Sequence, residues 1–158
     1  MKGIIIAAGY GTRALPVTKT IPKEMLPLVN RPAIDFIVEE FIRSGINDIL
    51  IVSSRRKKSM EDYFDREIEL ETYFSLKEDD EKQEAITPPS ARFFFTRQQH
   101  MSGTGHAILC AKAFTGNDPF IVAYPDDIHF GETPLTRQLI DMHDKTGCCV
   151  LGSIHDPP

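Results

Sequence analysis

No apolar run in this chain approaches the roughly 20 residues that a membrane-spanning helix requires. The opening run Ile4-Ile5-Ile6-Ala7-Ala8 is too short for a secretory h-region. Cysteine is scarce. Cys110, Cys148 and Cys149 are odd in number and include a vicinal pair, a poor disulfide framework that reads better as reduced core thiols. Positive charge is not in excess: the formal net charge of −5 argues against a general nucleic-acid binder. There is no internal repeat and no low-complexity tract. With 158 residues, 41% of them hydrophobic, the chain has enough apolar material for one domain with a real core. The expectation is a soluble, cytoplasmic protein without membrane or nucleic-acid partners.

The informative segment is the junction where Lys2-Gly3-Ile4-Ile5-Ile6-Ala7-Ala8 runs into Gly9-Tyr10-Gly11-Thr12-Arg13. Gly9 and Gly11 can take positive φ and bring bare backbone N–H groups up to a polyphosphate, and Arg13 adds a forked, permanently charged donor set. An ordinary strand-ending turn with a surface arginine is the plain alternative. A Walker-type loop is absent, since no Gly-Lys-Ser/Thr follows the glycines. Gly9 to Ala14 also fits the dinucleotide fingerprint G-x-G-x-x-A, but that motif demands a helix opening at once and an acidic residue about 20 positions on. Pro16, Pro22, Pro27 and Pro32 disfavour helix before them, so residues 14–31 read as a long ordered loop. The second apolar strand ends in Ser53-Ser54-Arg55-Arg56, with no carboxylate for a ribose. A weaker reading keeps a Rossmann domain in which Arg55 or Arg56 would hold the 2′-phosphate of NADP.

Charge is unevenly spread. From Arg13 to Arg31 there are four basic residues (Arg13, Lys19, Lys23, Arg31) against one acidic residue, Glu24, whereas residues 57–84 carry eleven acidic against five basic. A local positive funnel in an acidic protein suits a small anionic ligand.

Strand and helix signals alternate along the chain. Apolar residues at 34, 37, 38, 41 and 42 keep helical period and Gly45 is a ready C′ residue. Asp48 to Val52 reads as a buried strand, Lys57 to Phe64 as a short helix, and Glu67 to Glu84 as a charged helical excursion ending before Pro88-Pro89. Polar on most faces, that excursion reads as an insertion near residues 66–88. Phe93-Phe94-Phe95 is a strand, Thr104 to Ala113 a helix, Phe120 to Tyr124 a strand, Leu135 to Lys145 a helix and Cys148 to Ile154 a final strand. In that strand Cys148 and Cys149 would point to opposite faces as packing residues. Strands separated by helices of about ten residues predict an α/β fold, a mostly parallel doubly wound sheet with helices on both faces.

Ligands of such sheets sit outside the carboxyl ends of the strands. Three of these ends carry chemistry. Beyond the glycine-arginine turn stands Lys23 in Ile21-Pro22-Lys23-Glu24-Met25-Leu26-Pro27, with proline on both sides to hold its ammonium over phosphate; a solvated loop lysine is the alternative. Gln98, after the Phe93 strand and before Gly103-Thr104-Gly105-His106, offers donor and acceptor together, as a pyrimidine edge requires, or is a surface amide. Asp126 in Pro125-Asp126-Asp127 is a hard oxygen ligand suited to Mg²⁺, or an Asx-turn. His106 and Cys110 lie one helical turn apart, but a structural zinc needs four ligands and no second pair stands at sensible spacing.

Taken together, Ala7-Ala8-Gly9-x-Gly11-Thr12-Arg13, Leu15-Pro16-x-Thr18-Lys19 and Ile21-Pro22-Lys23-Glu24-Met25-Leu26-Pro27 closely resemble the sugar-nucleotide pyrophosphorylases. Further matches run through Arg31-Pro32-Ala33-Ile34, Arg97-Gln98, Gly103-x-Gly105-His106-Ala107 and Pro125-Asp126. Pro22-Lys23-Glu24 and Gly105-His106-Ala107 favour the branch of UTP-glucose-1-phosphate uridylyltransferases over the thymidylyltransferases. The resemblance implies a Rossmann-like nucleotidyltransferase domain over 1–158, limited to the nucleotide-binding half and truncated on the C-terminal side. It implies transfer of a uridylyl group from UTP to glucose-1-phosphate with Mg²⁺. Arg13 would grip the leaving phosphates, Lys23 the α-phosphate and the incoming phosphate, and Asp126 the metal. Ala8, Gly9, Gln98 and Gly103 would hold the uracil, with Gly11 and Thr12 also on the nucleotide. Asp127 departs from the residue usual there in close relatives. The sugar-binding part of the family lies beyond the resemblance, which leaves open a nucleotide-binding module without turnover, a complementing second chain, or a homo-oligomer.

Overall fold

The computed structural model describes residues 1–153. Strand β1 (Lys2–Ile6) pairs in parallel with β4 (Asp48–Ser53) on one side and with β6 (Phe120–Ala123) on the other, and β4 pairs in parallel with β5 (Arg92–Arg97). The sheet order is therefore β5-β4-β1-β6. β1 and β4 are continuous apolar runs because both of their faces are covered. Ile5, Ala7, Ile49 and Ile51 turn to one side, where they pack with Ile34, Ile37, Val38 and Phe41 of helix α1 (Ala33–Arg43). Ile4, Ile6, Leu50 and Val52 turn to the other, against Ala107 and Ala111. Helices thus lie on both faces, as the alternation predicts.

Phe41 is fully buried on the sheet, a side chain worth about 1.5–3 kcal/mol of transfer free energy. Gly3 makes room for it, since a Cβ there would stand 2.5 Å from two ring carbons. Ile46 N–H donates to Phe41 O and Gly45 N–H to Ile42 O, both at 2.9 Å, with Gly45 at φ 85. These are the paired bonds of a glycine C-terminal cap, as the sequence predicts.

Helix α7 (Leu135–Thr146) packs on the same face through Ile140. Its first turn is capped from α1: Glu40 Oε1 accepts from Thr136 N at 2.8 Å and from Thr136 Oγ1 at 2.5 Å, placing a carboxylate where the helix dipole favours it. The opposite face carries two short helices, α5 (Thr104–Leu109) and α6 (Lys112–Thr115), in place of the single helix expected over 104–113.

Residues 14–31 form the long ordered loop expected: Pro16 and Pro22 each precede a single 3-10 turn (Val17–Lys19, Lys23–Met25), and β2 (Pro27–Leu28) pairs with β3 (Arg31–Pro32) as a tiny antiparallel ladder. Two other expectations are corrected. The excursion over 67–84 is two helices, α3 (Ile68–Lys77) and α4 (Asp80–Ile86), neither burying a residue. Glu78 breaks them with φ 54, and Asp79 caps the second by accepting from Lys82 N at 3.2 Å. No strand forms over 148–153, while Ile154 lies outside the described residues. Cys148 spends its backbone groups locally, its N–H on Thr146 Oγ1 at 3.2 Å and its carbonyl against His143 Nδ1 at 2.8 Å. Cys148 and Cys149 are consequently exposed rather than packed, and Cys110 is half-buried. The third short helix, α2 (Lys58–Phe64), follows β4 and buries Met60 and Phe64.

Candidate functional site

Chain order reverses between β1 and β6, and the crevice at such a switch point is where open parallel sheets bind ligands. The loops leaving these two strands meet there. Gly9, Gly11, Thr12, Arg13, Lys23 and Asp126 all line one cavity of about 490 Å³. The first loop is held open by its own sequence. Gly11 sits at φ 69, its carbonyl accepts from Thr18 Oγ1 at 2.7 Å, and a Cβ on it would approach Thr18 Cγ2 to 3.2 Å. Thr12–Ala14 is a single 3-10 turn, and the first α-helix begins only at Ala33. The helix that a dinucleotide fingerprint demands is therefore missing.

Arg13 is exposed and has no ion-pair partner among the described residues. Lys23 and Asp126, 103 residues apart, are joined at 2.6 Å. Burial works against the charged form of Asp126, but the hydrogen bond and charge of Lys23, with the charge of Arg13 behind it, outweigh that and hold its carboxyl below the usual range. Asp127 N–H closes a turn onto Tyr124 O at 3.0 Å, which points Asp126 at the strand end.

Sequence reasoning missed what lies under Lys23. Glu24 is 1% exposed, and both its oxygens accept from Lys57 Nζ, at 2.7 and 2.8 Å. Burial lowers the Lys57 pKa against the opposing pull of Glu24. This pair ties the lysine loop to the start of α2, so the residue beside Lys23 is bolted to the core. Thr18 was likewise visible in the motif without a role. Arg55 and Arg56 are exposed on the β4–α2 turn.

Ala8 is buried, continuing β1. Gln98 and Gly103 stand at the end of β5, two strands from β1, and do not line the cavity with Arg13. Gln98 N–H extends the ladder to Ser53 O at 2.9 Å, and its side chain is tied to Gly103 and His106. Among the described residues no three His, Cys, Asp or Glu side chains converge as a metal cage. One carboxylate, Asp126, fits Mg²⁺ nonetheless, because that ion usually takes one or two carboxylates and completes its shell with water and phosphate. No helix among the described residues is long and apolar enough to cross a membrane.

The UTP-glucose-1-phosphate uridylyltransferase YngB of Bacillus subtilis is 50% identical over 155 residues, covering 96% of this chain and 52% of that protein. A UTP-glucose-1-phosphate uridylyltransferase of Mycoplasma pneumoniae is 47% identical over 153 residues, covering 96% and 53%. Among solved structures, a UTP-bound UGPase from Acinetobacter baumannii superposes with a TM-score of 0.85 at 37% identity, over 92% of this chain and 53% of that one. A UDP-glucose pyrophosphorylase complexed with UDP-glucose gives 0.78 at 41% identity, over 93% and 54%. The chain thus spans about half the length of the relatives it matches. A model of the nucleotidyl transferase family matches residues 2–156, and the chain belongs to that family.

Proposed function

We propose that this chain supplies the nucleotide-binding part of a uridylyltransferase that joins UTP and glucose-1-phosphate into UDP-glucose and pyrophosphate. The observation that carries this is the meeting of Arg13, Lys23 and Asp126 in one cavity at the strand reversal. In the reaction an oxygen of the sugar phosphate attacks the α-phosphorus of UTP. The bond from that phosphorus to the bridging oxygen breaks, and pyrophosphate leaves with the electron pair. No group of the protein becomes covalently attached.

Alignment and charge neutralisation are therefore what the side chains contribute. The free guanidinium of Arg13 suits the leaving phosphates bidentately. Lys23, tethered through Glu24, holds its ammonium for the α-phosphate and the incoming phosphate. Mg²⁺, when held on Asp126, supplies positive charge to the phosphate oxygens. Backbone N–H groups around Gly9, Gly11 and Thr12 add fixed dipoles, and Ala8, Gln98 and Gly103 form the uracil side. The helices α3 and α4 form an insertion outside this site.

Binding and turnover are tested separately. UTP with Mg²⁺ at a hundredfold excess over Kd adds about 2.7 kcal/mol, a melting shift of roughly 5–11 °C for a chain of this size. An unchanged melting curve at millimolar UTP, or a larger shift with NADPH, refutes the nucleotide site proposed. Pyrophosphate release dependent on both UTP and glucose-1-phosphate establishes transfer, whereas a UTP shift without release restricts the chain to nucleotide binding.

A further inference from the structure

Gln98 is 4% exposed and the orientation of its side chain is fixed by its neighbours. Nε2 lies 3.0 Å from Gly103 O and 3.0 Å from His106 Nδ1. A backbone carbonyl only accepts, so the NH₂ end of the amide must face Gly103. The second N–H then goes to His106, whose Nδ1 must be the unprotonated nitrogen and whose proton must sit on Nε2. Both amide protons are thereby spent. Oε1, which takes no hydrogen bond among the described residues, is the one polar atom of the side chain left to a ligand.

A glutamine read from sequence as donor and acceptor together has become an acceptor only. Such an atom matches the N3–H of uracil and opposes the bare N3 of cytosine. His106 stands in the first turn of α5, and Ala107 beside it is buried against Ile4, Ile6 and Val52, so the imidazole is placed by the core. We propose that His106 is the positioning residue that makes Gln98 a one-way acceptor and so selects an imide base over cytosine. This rests on the reading that Gln98 faces the base.

Calorimetry with UTP and CTP at matched Mg²⁺ tests it on the wild-type chain, Gln98→Ala, His106→Leu and His106→Asn. The wild type should prefer UTP by about tenfold, the scale of one hydrogen bond gained against one opposed. His106→Leu should shrink that margin to about threefold or less, and His106→Asn, whose side-chain oxygen can stand near the former Nδ1, should restore most of it. Nitrogen-15 NMR of the ligand-free wild type should show the proton on Nε2. A proton on Nδ1, or a full margin in His106→Leu when Gln98→Ala has lost it, overturns the role of His106. A full margin in Gln98→Ala overturns instead the base-reading role of Gln98, and absent UTP binding overturns the nucleotide site and this inference with it.

Discussion

Replacing Glu24 by leucine should cost the fold about 3–5 kcal/mol, because it leaves the Lys57 ammonium buried without the carboxylate that hydrogen-bonds it. Lys57 is 5% exposed and Glu24 1%, so neither end can turn to water without moving the backbone. The ammonium has one escape, which is to lose its proton. From an ordinary pKa of 10.5 that costs about 4.8 kcal/mol at pH 7, so deprotonation sets a ceiling close to the same value. For a chain of this size the expected fall in melting temperature is roughly 6–20 °C. A pH signature follows. Burial already lowers the folded pKa of Lys57 in the wild type, and loss of Glu24 lowers it further. Between the folded value and 10.5 the unfolded chain holds one more proton, so stability rises with pH across that window. The variant should thus recover stability in urea unfolding as pH is raised from 7 to 9.5, more steeply than the wild type. The paired change Glu24→Leu with Lys57→Met, close in volume and free of charge, should return to within about 1 kcal/mol of wild type. A single variant that loses less than 1 kcal/mol, or a pair as unstable as the single, would refute the reasoning.

Arg13→Ala should leave the melting temperature nearly unchanged, since the side chain is exposed and unpaired, while weakening UTP binding roughly 10- to 150-fold, the value of hydrogen bonds to charged phosphate oxygens. Unfolding of that variant, or full affinity by calorimetry, contradicts the assignment. Lys23→Met removes the hydrogen bond and charge that hold the Asp126 carboxyl low and leaves the burial that raises it, so the Asp126 pKa should rise in a carbon-13 titration. In the wild type the depressed pKa gives stability that is present above the ordinary carboxylate value of 3.8 and lost as pH falls through the folded value; the variant should lack this part of its acid limb, and an unmoved carboxyl signal would contradict it.

What the sequence made legible follows one physical rule: signals carried within about one turn or one strand were readable. The 3.6-residue period of α1 and its Gly45 cap are local, and so is the run of β-branched residues in β1 that announces burial on both faces. Glu24 and Lys57 were not, because their meaning lies in a partner 33 residues away. Alone, Glu24 is a charged residue in a loop, and Lys57 is one of four consecutive basic residues, Arg55-Arg56-Lys57-Lys58, at the start of the expected short helix. Cys148 and Cys149 failed in the opposite sense. Their neighbours Val150 and Leu151 support a strand locally, but a strand also needs a ladder, and the helix C-terminus takes Cys148's backbone groups first.

Lys23 and Asp126 show what a residue-by-residue reading leaves out. Sequence assigned the lysine to phosphate and the aspartate to a metal, two roles that call for opposite partners. In the structure each serves as the other's partner, at 2.6 Å, with side chains 26% and 45% exposed. A pair that exposed is worth little on its own, at most about 1 kcal/mol, so a triphosphate and its cation can separate it at small cost. The backbone beside Lys23 is anchored independently of that pair, because Glu24 next to it is held by Lys57 at 2.7 and 2.8 Å. The arrangement therefore sets an exposed pair, Lys23 with Asp126, on a loop anchored by a buried one, Glu24 with Lys57.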